Sequence, residues 1–175
     1  MSMDGRGFDL EEWRRQEHER DLVRISKLRP IDDDFMRCLF KDDLSLAQVV
    51  LRTITGMNDL VLVKSETQRD VRRLYGGRSV ELDVWGVDSN GGWHDIEVQR
   101  GYEPDARRAR YHSAAMDVEA LDAGMPFSKL PSQWVVFVME HDPFGMGRGA
   151  YLFERQCQGM EQGLGDGTHI LFANG

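Results

Sequence analysis

The sequence has very little cysteine, and this narrows the class of protein at once. Only Cys38 and Cys157 occur among 175 residues, and neither lies near a second cysteine or a histidine at metal-ligand spacing. The pattern therefore argues against a disulfide framework and against a structural zinc site. A reduced, cytoplasmic setting fits this composition best.

Long apolar runs are also missing. No stretch is long and apolar enough to span a bilayer, and the amino terminus is charged throughout instead of resembling a signal peptide. We therefore expect a protein that is neither secreted nor inserted in a membrane.

Positive charge is scarce relative to negative charge. The chain carries 22 lysine and arginine residues against 30 aspartate and glutamate residues, which gives a formal net charge of -8. Bulk charge therefore does not favour a protein that coats nucleic acid, so any such contact must rest on a local basic patch. The length and the 41% hydrophobic content predict one globular domain with a substantial core.

Residues 80–100 predict two antiparallel strands joined by a tight turn. Along the first strand Glu81 and Asp83 alternate with valine and leucine, and along the second Asp95 and Glu97 alternate with isoleucine and valine. The sequence Asn-Gly-Gly at 90–92 supplies residues that tolerate positive φ, as hairpin turns require. We therefore expect a hairpin with one apolar face and one acidic face.

The length of the hairpin loop decides whether Asp83 and Glu97 meet. A three-residue loop, Ser89–Gly91 with Gly91 left-handed, places them opposite each other, whereas a two-residue turn places them on opposite faces. We predict the three-residue loop or an equivalent bulge. Two carboxylates ~4 to 5 Å apart repel by roughly 4 kcal/mol at an effective dielectric of 20, so the pair requires a cation or a shared proton.

The rest of the chain predicts helices and strands that cover this hairpin. Residues 1–27 are expected to be a peripheral helical arm, with its helix over 8–24, and 28–175 a single domain. In chain order, the predicted elements of that domain are a helix from Asp32–Asp34 to Gly56 with a break near 41–43, a strand over 60–68, a basic connector over 69–78, the hairpin, a helix over 104–123, a central strand over 134–139 and short strands over 150–153 and 170–172. This order predicts an α/β fold with a mixed central sheet flanked by helices.

The acidic side of the hairpin is the candidate site. Asp83, Glu97 and the intervening carbonyl of Val98 would supply hard oxygen ligands, which suit Mg²⁺ or Mn²⁺. The alternative is the ordinary solvent-facing side of a half-covered hairpin. The histidines show no metal-ligand spacing, so none is assigned to metal.

Arginines flank the hairpin in sequence and could offset its acidity where a phosphate backbone docks, although solvated arginines are the commoner explanation. Tyr111 and His112, on the predicted helix after the hairpin, could contact a substrate or pack against the sheet. The arginines in question are Arg69, Arg72, Arg73, Arg78, Arg100, Arg107, Arg108 and Arg110.

The order αβββαβ, with Asp83 followed by Glu97-Val98-Gln99, resembles the PD-(D/E)XK nuclease superfamily, in which lysine usually stands where Gln99 stands here. The chain from about residue 28 onward resembles more closely the PD-(D/E)XK nuclease family transposases, also called recombination-promoting nucleases. The segments that carry this resemblance are Pro30-Ile31-Asp32-Asp33, Arg37–Phe40, Arg107–Tyr111, Gly124 with Leu130-Pro131, HDPFGMGRGAYLFERQC and LGDGTHILFANG.

The resemblance implies a restriction-endonuclease-like αβββαβ core with extra short strands at the carboxyl end, and a chain that is short at that end. It implies Asp83 and Glu97, with the Val98 carbonyl, as ligands of Mg²⁺ or Mn²⁺, Gln99 in the place of the lysine and Asp33 as an accessory acid. The activity implied is a metal-dependent DNA endonuclease of transposition or recombination, with DNA as partner.

The candidate DNA-binding residues are Arg100, Arg107, Arg108 and Arg110. Many nucleases dimerise to cut both strands, and the sequence leaves open whether this protein forms a homodimer. The alternative is a catalytically degenerate member of the fold that binds DNA or protein without cleavage, which the glutamine at 99 and the net charge favour.

Overall fold

The computed structural model describes residues 44–71, 79–101 and 103–174, together with Glu12 and Phe40. The chain divides into two compact units, Met1–Pro30 and Ile31–Gly175, and all the elements below belong to the second. Except at Glu12, which is helical, the predicted arm lies outside the described residues, as do the predicted helix break at 41–43 and Asp33.

In the described part of the chain, six strands form one mixed sheet, which two helices flank. In chain order the elements are α1 (Leu44–Thr55), β1 (Leu62–Val71), β2 (Val80–Asp88), β3 (Trp93–Gln99), α2 (Ala106–Ala120), a 3₁₀ turn (Phe127–Lys129), β4 (Gln133–Met139), β5 (Ala150–Phe153) and β6 (Thr168–Asn174). The strand order across the sheet is β1-β2-β3-β4-β6-β5, and the pairs β3/β4 and β4/β6 are parallel, whereas the others are antiparallel. The predicted α/β class with a mixed sheet is confirmed.

Helix α1 packs one apolar face on the sheet and is tied to β1 by polar contacts. Ala47 and Leu51 are buried, one helical turn apart. The Gln48 side chain accepts a hydrogen bond from the Leu62 N–H at 2.9 Å, and Arg52 donates from Nε to the Leu60 carbonyl at 2.7 Å. The helix therefore fixes where β1 begins.

No helix in the described part of the chain has the length and apolar character needed to cross a membrane.

Helix α2 begins at a well-defined cap and covers the other face of the sheet. The Asp105 carboxylate accepts hydrogen bonds from the N–H groups of Arg107 and Arg108, which satisfies two of the free donors at the helix start. The buried positions 109, 112, 113 and 116 follow helical spacing, so one stripe of α2 faces the sheet. The helix is shorter than the predicted span 104–123, because the cap sets its start at 106 and extended backbone at Leu121 ends it.

The sheet separates two apolar clusters. The cluster under α1 includes Val84, Ile96 and Val136, and the cluster under α2 includes Val135 and Phe137. Strand β4 contributes alternate residues to both clusters, so it is buried on both faces, as its continuous apolar run predicts. Its central position between β3 and β6 is confirmed.

The loop of the hairpin is the predicted three-residue loop. The Asp88 N–H donates to the Gly92 carbonyl at 2.9 Å, the Gly91 N–H donates to the Asp88 carbonyl at 3.0 Å, and Gly91 has a φ of +84°. The register Val87↔Trp93 to Val84↔Ile96 follows from this loop. It brings the backbones of residues 83 and 97 to the same level of the hairpin.

Two boundary predictions at the edges of the sheet need correction. Strand β1 continues to Val71, so Arg69 is part of the sheet and does not belong to a connector. Its guanidinium lies 3.9 Å from the centre of the Trp85 ring and pairs with Glu66 and Glu119. The last strand, β6, covers Thr168–Asn174 and is therefore longer than the predicted 170–172, because it pairs on both sides, with β4 and β5.

Candidate metal centre

The strands β2 and β3 separate at the end of the hairpin that is opposite the loop. Their ladder stops at Val84↔Ile96, after which β2 continues beside β1 and β3 continues beside β4. Two side chains replace the missing backbone contacts in this fork. The Asp83 N–H donates to Glu97 Oε1 at 3.0 Å, and the Val98 N–H donates to Asp83 Oδ2 at 3.2 Å. The two predicted acids, Asp83 and Glu97, therefore meet, as expected for the three-residue loop.

The prediction of one apolar and one acidic face is wrong at this fork. Leu82 belongs to the cluster under α2, whereas Val84 belongs to the cluster under α1, although the two residues would share a face in a regular strand. On β1, Gln68 lies opposite Asp83 and has a φ of +53°. The β1/β2 pairs on its two sides are Thr67↔Val84 and Arg69↔Leu82. Both strands thus reverse their faces at one level of the sheet.

A trio of buried ionisable side chains stands beside the fork. Asp95, Glu97 and His112 each offer one ligand atom, and these atoms all lie within 4.8 Å of one another. Asp95 and Glu97 come from the same face of β3, because they are two residues apart, and His112 comes from the covering helix α2. The His112 ring contacts Asp95 from Nδ1 to Oδ2 at 3.0 Å and lies 3.6 Å from Glu97 Oε1.

One cation in the protein already contacts this trio. Arg108 Nη2 lies 2.7 Å from Glu97 Oε2, and Arg108 Nε lies 3.4 Å from His112 Nε2. Since Arg108 Nε is a donor, His112 Nε2 accepts, and the ring proton is assigned to Nδ1, which then donates to Asp95. His112 is neutral in this arrangement.

Burial and mutual repulsion favour the protonated forms of Asp95 and Glu97 in the absence of a further cation. Burial, followed by the charges of Asp95 and Asp83, raises the pKa of Glu97 to about 9. Burial and the charge of Asp83 raise the pKa of Asp95 well above its usual value. Burial lowers the pKa of His112, which agrees with a neutral ring. Among the described residues, one guanidinium, that of Arg108, contacts this group of three acids.

The donor set fits a metal ion. Asp95 and Glu97 have side chains that are 0% exposed, and Asp95 Oδ1 has no hydrogen-bond partner among the described residues. A buried carboxylate oxygen without a donor is costly, and a bound cation removes that cost. The two carboxylates and the imidazole can hold a metal ion, and the protons that they carry would be released when it binds.

A cleft opens beside the trio at the amino-terminal end of α2. Its volume is about 390 Å³. Its walls combine the beginning of β2 with the first turns of α2, and they consist of Ser79, Val80, Glu81, Asp105, Arg107, Arg108, Tyr111 and His112. The cleft thus gives a small ligand access to Arg108 and His112.

The predicted site residues fall into three groups. Asp83, Glu97 and Val98 meet in the fork, and Gln99 follows on β3, where its Nε2 donates to the Glu103 carbonyl at 3.2 Å and its Oε1 is buried without a partner among the described residues. Of the four predicted DNA-binding arginines, Arg107 and Arg110 are exposed on α2, Arg100 is exposed directly after β3, and Arg108 pairs with Glu97. Asp33 lies outside the described residues.

Two members of the trio were not predicted as ligands. Asp95 stands two residues before Glu97, a spacing that indicates a shared face of β3, but the sequence analysis did not assign it as a ligand. His112 has no spacing signal, because its approach to β3 depends on how α2 crosses the sheet. Comparison of the chain with protein-family models, with curated proteins and with solved structures finds no match.

Proposed function

We propose that this protein is a divalent-metal-dependent DNA endonuclease that hydrolyses phosphodiester bonds in transposition or recombination. The observation that carries the proposal is a cluster of three carboxylates at the fork of β2 and β3, two of them fully buried with raised pKa values, beside an arginine-lined cleft. Acids arranged in this way favour a hard divalent cation such as Mg²⁺ or Mn²⁺.

The order and direction of the elements support the proposal. The chain order is a helix, an antiparallel run of three strands, a second helix and a fourth strand that is parallel to the third. This order agrees with the αβββαβ core that the sequence resemblance implies. The acids lie at the level of the core where β2 and β3 separate.

Each residue of the centre has a proposed role that follows from its chemistry. Asp95, Glu97 and His112 would hold the metal ion, and Asp83 would add a further carboxylate and hold β3 through the Val98 N–H. When bound, such a metal supplies Lewis acidity and a water of lowered pKa for attack on phosphorus.

The exposed arginines Arg100, Arg107 and Arg110 would bind the phosphate backbone on either side of the scissile bond. Gln99 can donate and accept hydrogen bonds but carries no charge, so charge stabilisation in the transition state falls to the metal and to arginine.

Plasmid nicking tests this proposal. With Mg²⁺ or Mn²⁺ present, the wild-type protein should convert supercoiled plasmid to the open circle, and Asp83→Ala and Glu97→Ala should each lower the rate by on the order of a hundredfold or more. Asp59→Ala, which removes an exposed carboxylate from the turn after α1, is the matched control and should nick at the wild-type rate. Metal-dependent nicking that survives both site substitutions would show that the chemistry lies elsewhere.

The position of Gln99 gives a second test of the same reading. We expect Gln99→Lys to nick at the wild-type rate or faster, because an ammonium group near the scissile phosphate stabilises developing negative charge. Thermal unfolding of the variant serves as the folding control. Complete loss of nicking in a folded Gln99→Lys protein would contradict the alignment of Gln99 with the superfamily lysine.

One observation favours a second function, in which the fold binds DNA or protein without cleavage. The Glu97 carboxylate already has a cationic partner in Arg108, so the centre can exist as an internal ion pair. In that case plasmid should be retarded in a gel shift but not nicked, with or without divalent metal.

A further inference from the structure

Arg108 holds two of the three side chains that make up the metal trio. Its Nη2 is 2.7 Å from Glu97 Oε2, and its Nε is 3.4 Å from His112 Nε2. A single guanidinium thus occupies the side of the trio that faces the cleft. The third member, Asp95, retains a carboxylate oxygen without a partner among the described residues.

The two partners of this ion pair differ in their access to water. The Arg108 side chain is 43% exposed, whereas the Glu97 side chain is 0% exposed. A half-exposed guanidinium can leave the pair and be hydrated, but a buried carboxylate cannot. The backbone of Arg108 stays fixed in such a movement, because its N–H is held by the Asp105 cap.

A metal ion in the trio and the guanidinium at Glu97 would repel each other. Like charges a few ångströms apart in a partly buried site are costly, and a divalent ion doubles the cost. The space next to Arg108 is the cleft of about 390 Å³, whose wall also contains Arg107 and Tyr111. A displaced Arg108 side chain therefore has room within the same cleft.

We propose that Arg108 is an exchangeable cation: in the metal-free protein its guanidinium holds the Glu97 carboxyl group, and a divalent cation that enters the trio displaces the guanidinium into the cleft, where it can bind a phosphate group of the substrate. The inference rests on the proposed function, since it takes the trio to be a metal centre. Metal binding thereby makes the Arg108 guanidinium available to a substrate phosphate. In the metal-free protein the same guanidinium stays in contact with Glu97.

Mn²⁺ affinity of the purified protein without DNA tests this exchange, measured by calorimetry and by the electron paramagnetic resonance signal of free Mn²⁺. Arg108→Gln should bind Mn²⁺ at least about tenfold more tightly than the wild type, because no internal cation has to be displaced. Arg108→Lys keeps the competing charge and should bind close to the wild-type affinity. Arg107→Gln removes the same charge from the neighbouring residue, which has no described contact with Glu97, and its Mn²⁺ affinity should stay unchanged.

The outcomes separate this inference from the proposed function. Mn²⁺ binding by both proteins, at least about tenfold tighter in Arg108→Gln, would support the exchange. If the wild type binds Mn²⁺ and Arg108→Gln binds it equally well or more weakly, the exchange is overturned. Arg108 would then stay in place beside the metal and orient Glu97. The metal centre itself would stand in that case. Absence of Mn²⁺ binding in both proteins would overturn both proposals.

A measurement on the wild-type protein covers the case in which Arg108→Gln does not fold. In ¹H–¹⁵N spectra of arginine Nε groups, the Arg108 signal, assigned by its loss in Arg108→Lys, should be protected from solvent exchange without metal. Saturating Mg²⁺ should remove that protection and shift the signal. A signal that remains protected and unshifted while Mg²⁺ binds would refute the displacement.

Discussion

Among the described residues, two histidine–aspartate pairs have their aspartates on the same hairpin but differ in what surrounds each aspartate. Near the loop, His94 Nε2 lies 2.8 Å from Asp88 Oδ2, and at the covered face of β3, His112 Nδ1 lies 3.0 Å from Asp95 Oδ2. Both histidines are buried, and burial lowers the pKa of each ring. The difference lies in the acids.

Asp88 is surrounded by donors, whereas Asp95 is surrounded by acids. Burial raises the pKa of Asp88, but hydrogen bonds from His94 and from the N–H groups of Gly92 and Asn90 outweigh this effect, and the pKa falls below its usual value. Burial and Asp83 raise the pKa of Asp95 well above its usual value. A buried carboxylate with enough donors stabilises a loop, and one without them stays available for a cation.

The largest expected difference between the two pairs is in their response to metal. At a Mn²⁺ concentration about 100 times the dissociation constant, the free energy of unfolding should rise by about 2.7 kcal/mol, because the metal binds only the folded state. Asp95→Asn should lose most of this gain, and Asp88→Asn should keep it. Urea denaturation with and without Mn²⁺ measures both, and an equal loss in the two variants would contradict the distinction.

The next largest effect is on the pH dependence of the metal-free protein. The folded pKa of Glu97, about 9, lies above its usual 4.5, so above pH 4.5 the folded state keeps a proton that the unfolded state has released. Stability should therefore fall as the pH rises from 7 to 8.5, with a slope that approaches about 1.4 kcal/mol per pH unit for each retained proton. His94 and His112 do not contribute in this window, because their lowered pKa values change stability only below about pH 6.5.

Urea denaturation in the presence of a chelator measures this slope. Glu97→Gln should reduce it by one proton, and Asp88→Asn should not change it, because the lowered pKa of Asp88 acts only in the acid range. A slope in Glu97→Gln that equals the wild-type slope would show that Glu97 is ionised in the folded protein.

The smallest effect is on the hairpin loop itself. Asp88→Asn should lower the free energy of unfolding by about 1 kcal/mol at neutral pH, because it weakens the hydrogen bonds to the N–H groups of Asn90 and Gly92 and to His94. Thermal and urea unfolding measure this loss. Mn²⁺ affinity serves as the control, since it should not change. A variant as stable as the wild type would mean that the loop glycines alone hold the turn.

The hairpin and its register were predictable because they depend on neighbours in sequence. Alternation fixes which residues share a face, and Gly91 permits the left-handed residue that a three-residue loop needs. The meeting of Asp83 and Glu97 follows from these local rules. The reversal of faces at Leu82 and Val84 does not, because it requires the unusual backbone of Gln68 on a different strand.

What the sequence by itself determined is the α/β class, the central strand β4 and the loop that brings the two acids of the fork together. Only the tertiary structure decided that Asp95 and Glu97 are buried and that His112 and Arg108 complete their surroundings. The physical reason is that turn chemistry and strand alternation act over a few residues. The pKa of a carboxyl depends instead on which helix lies over it, and that is set by the packing of α2 on the whole sheet.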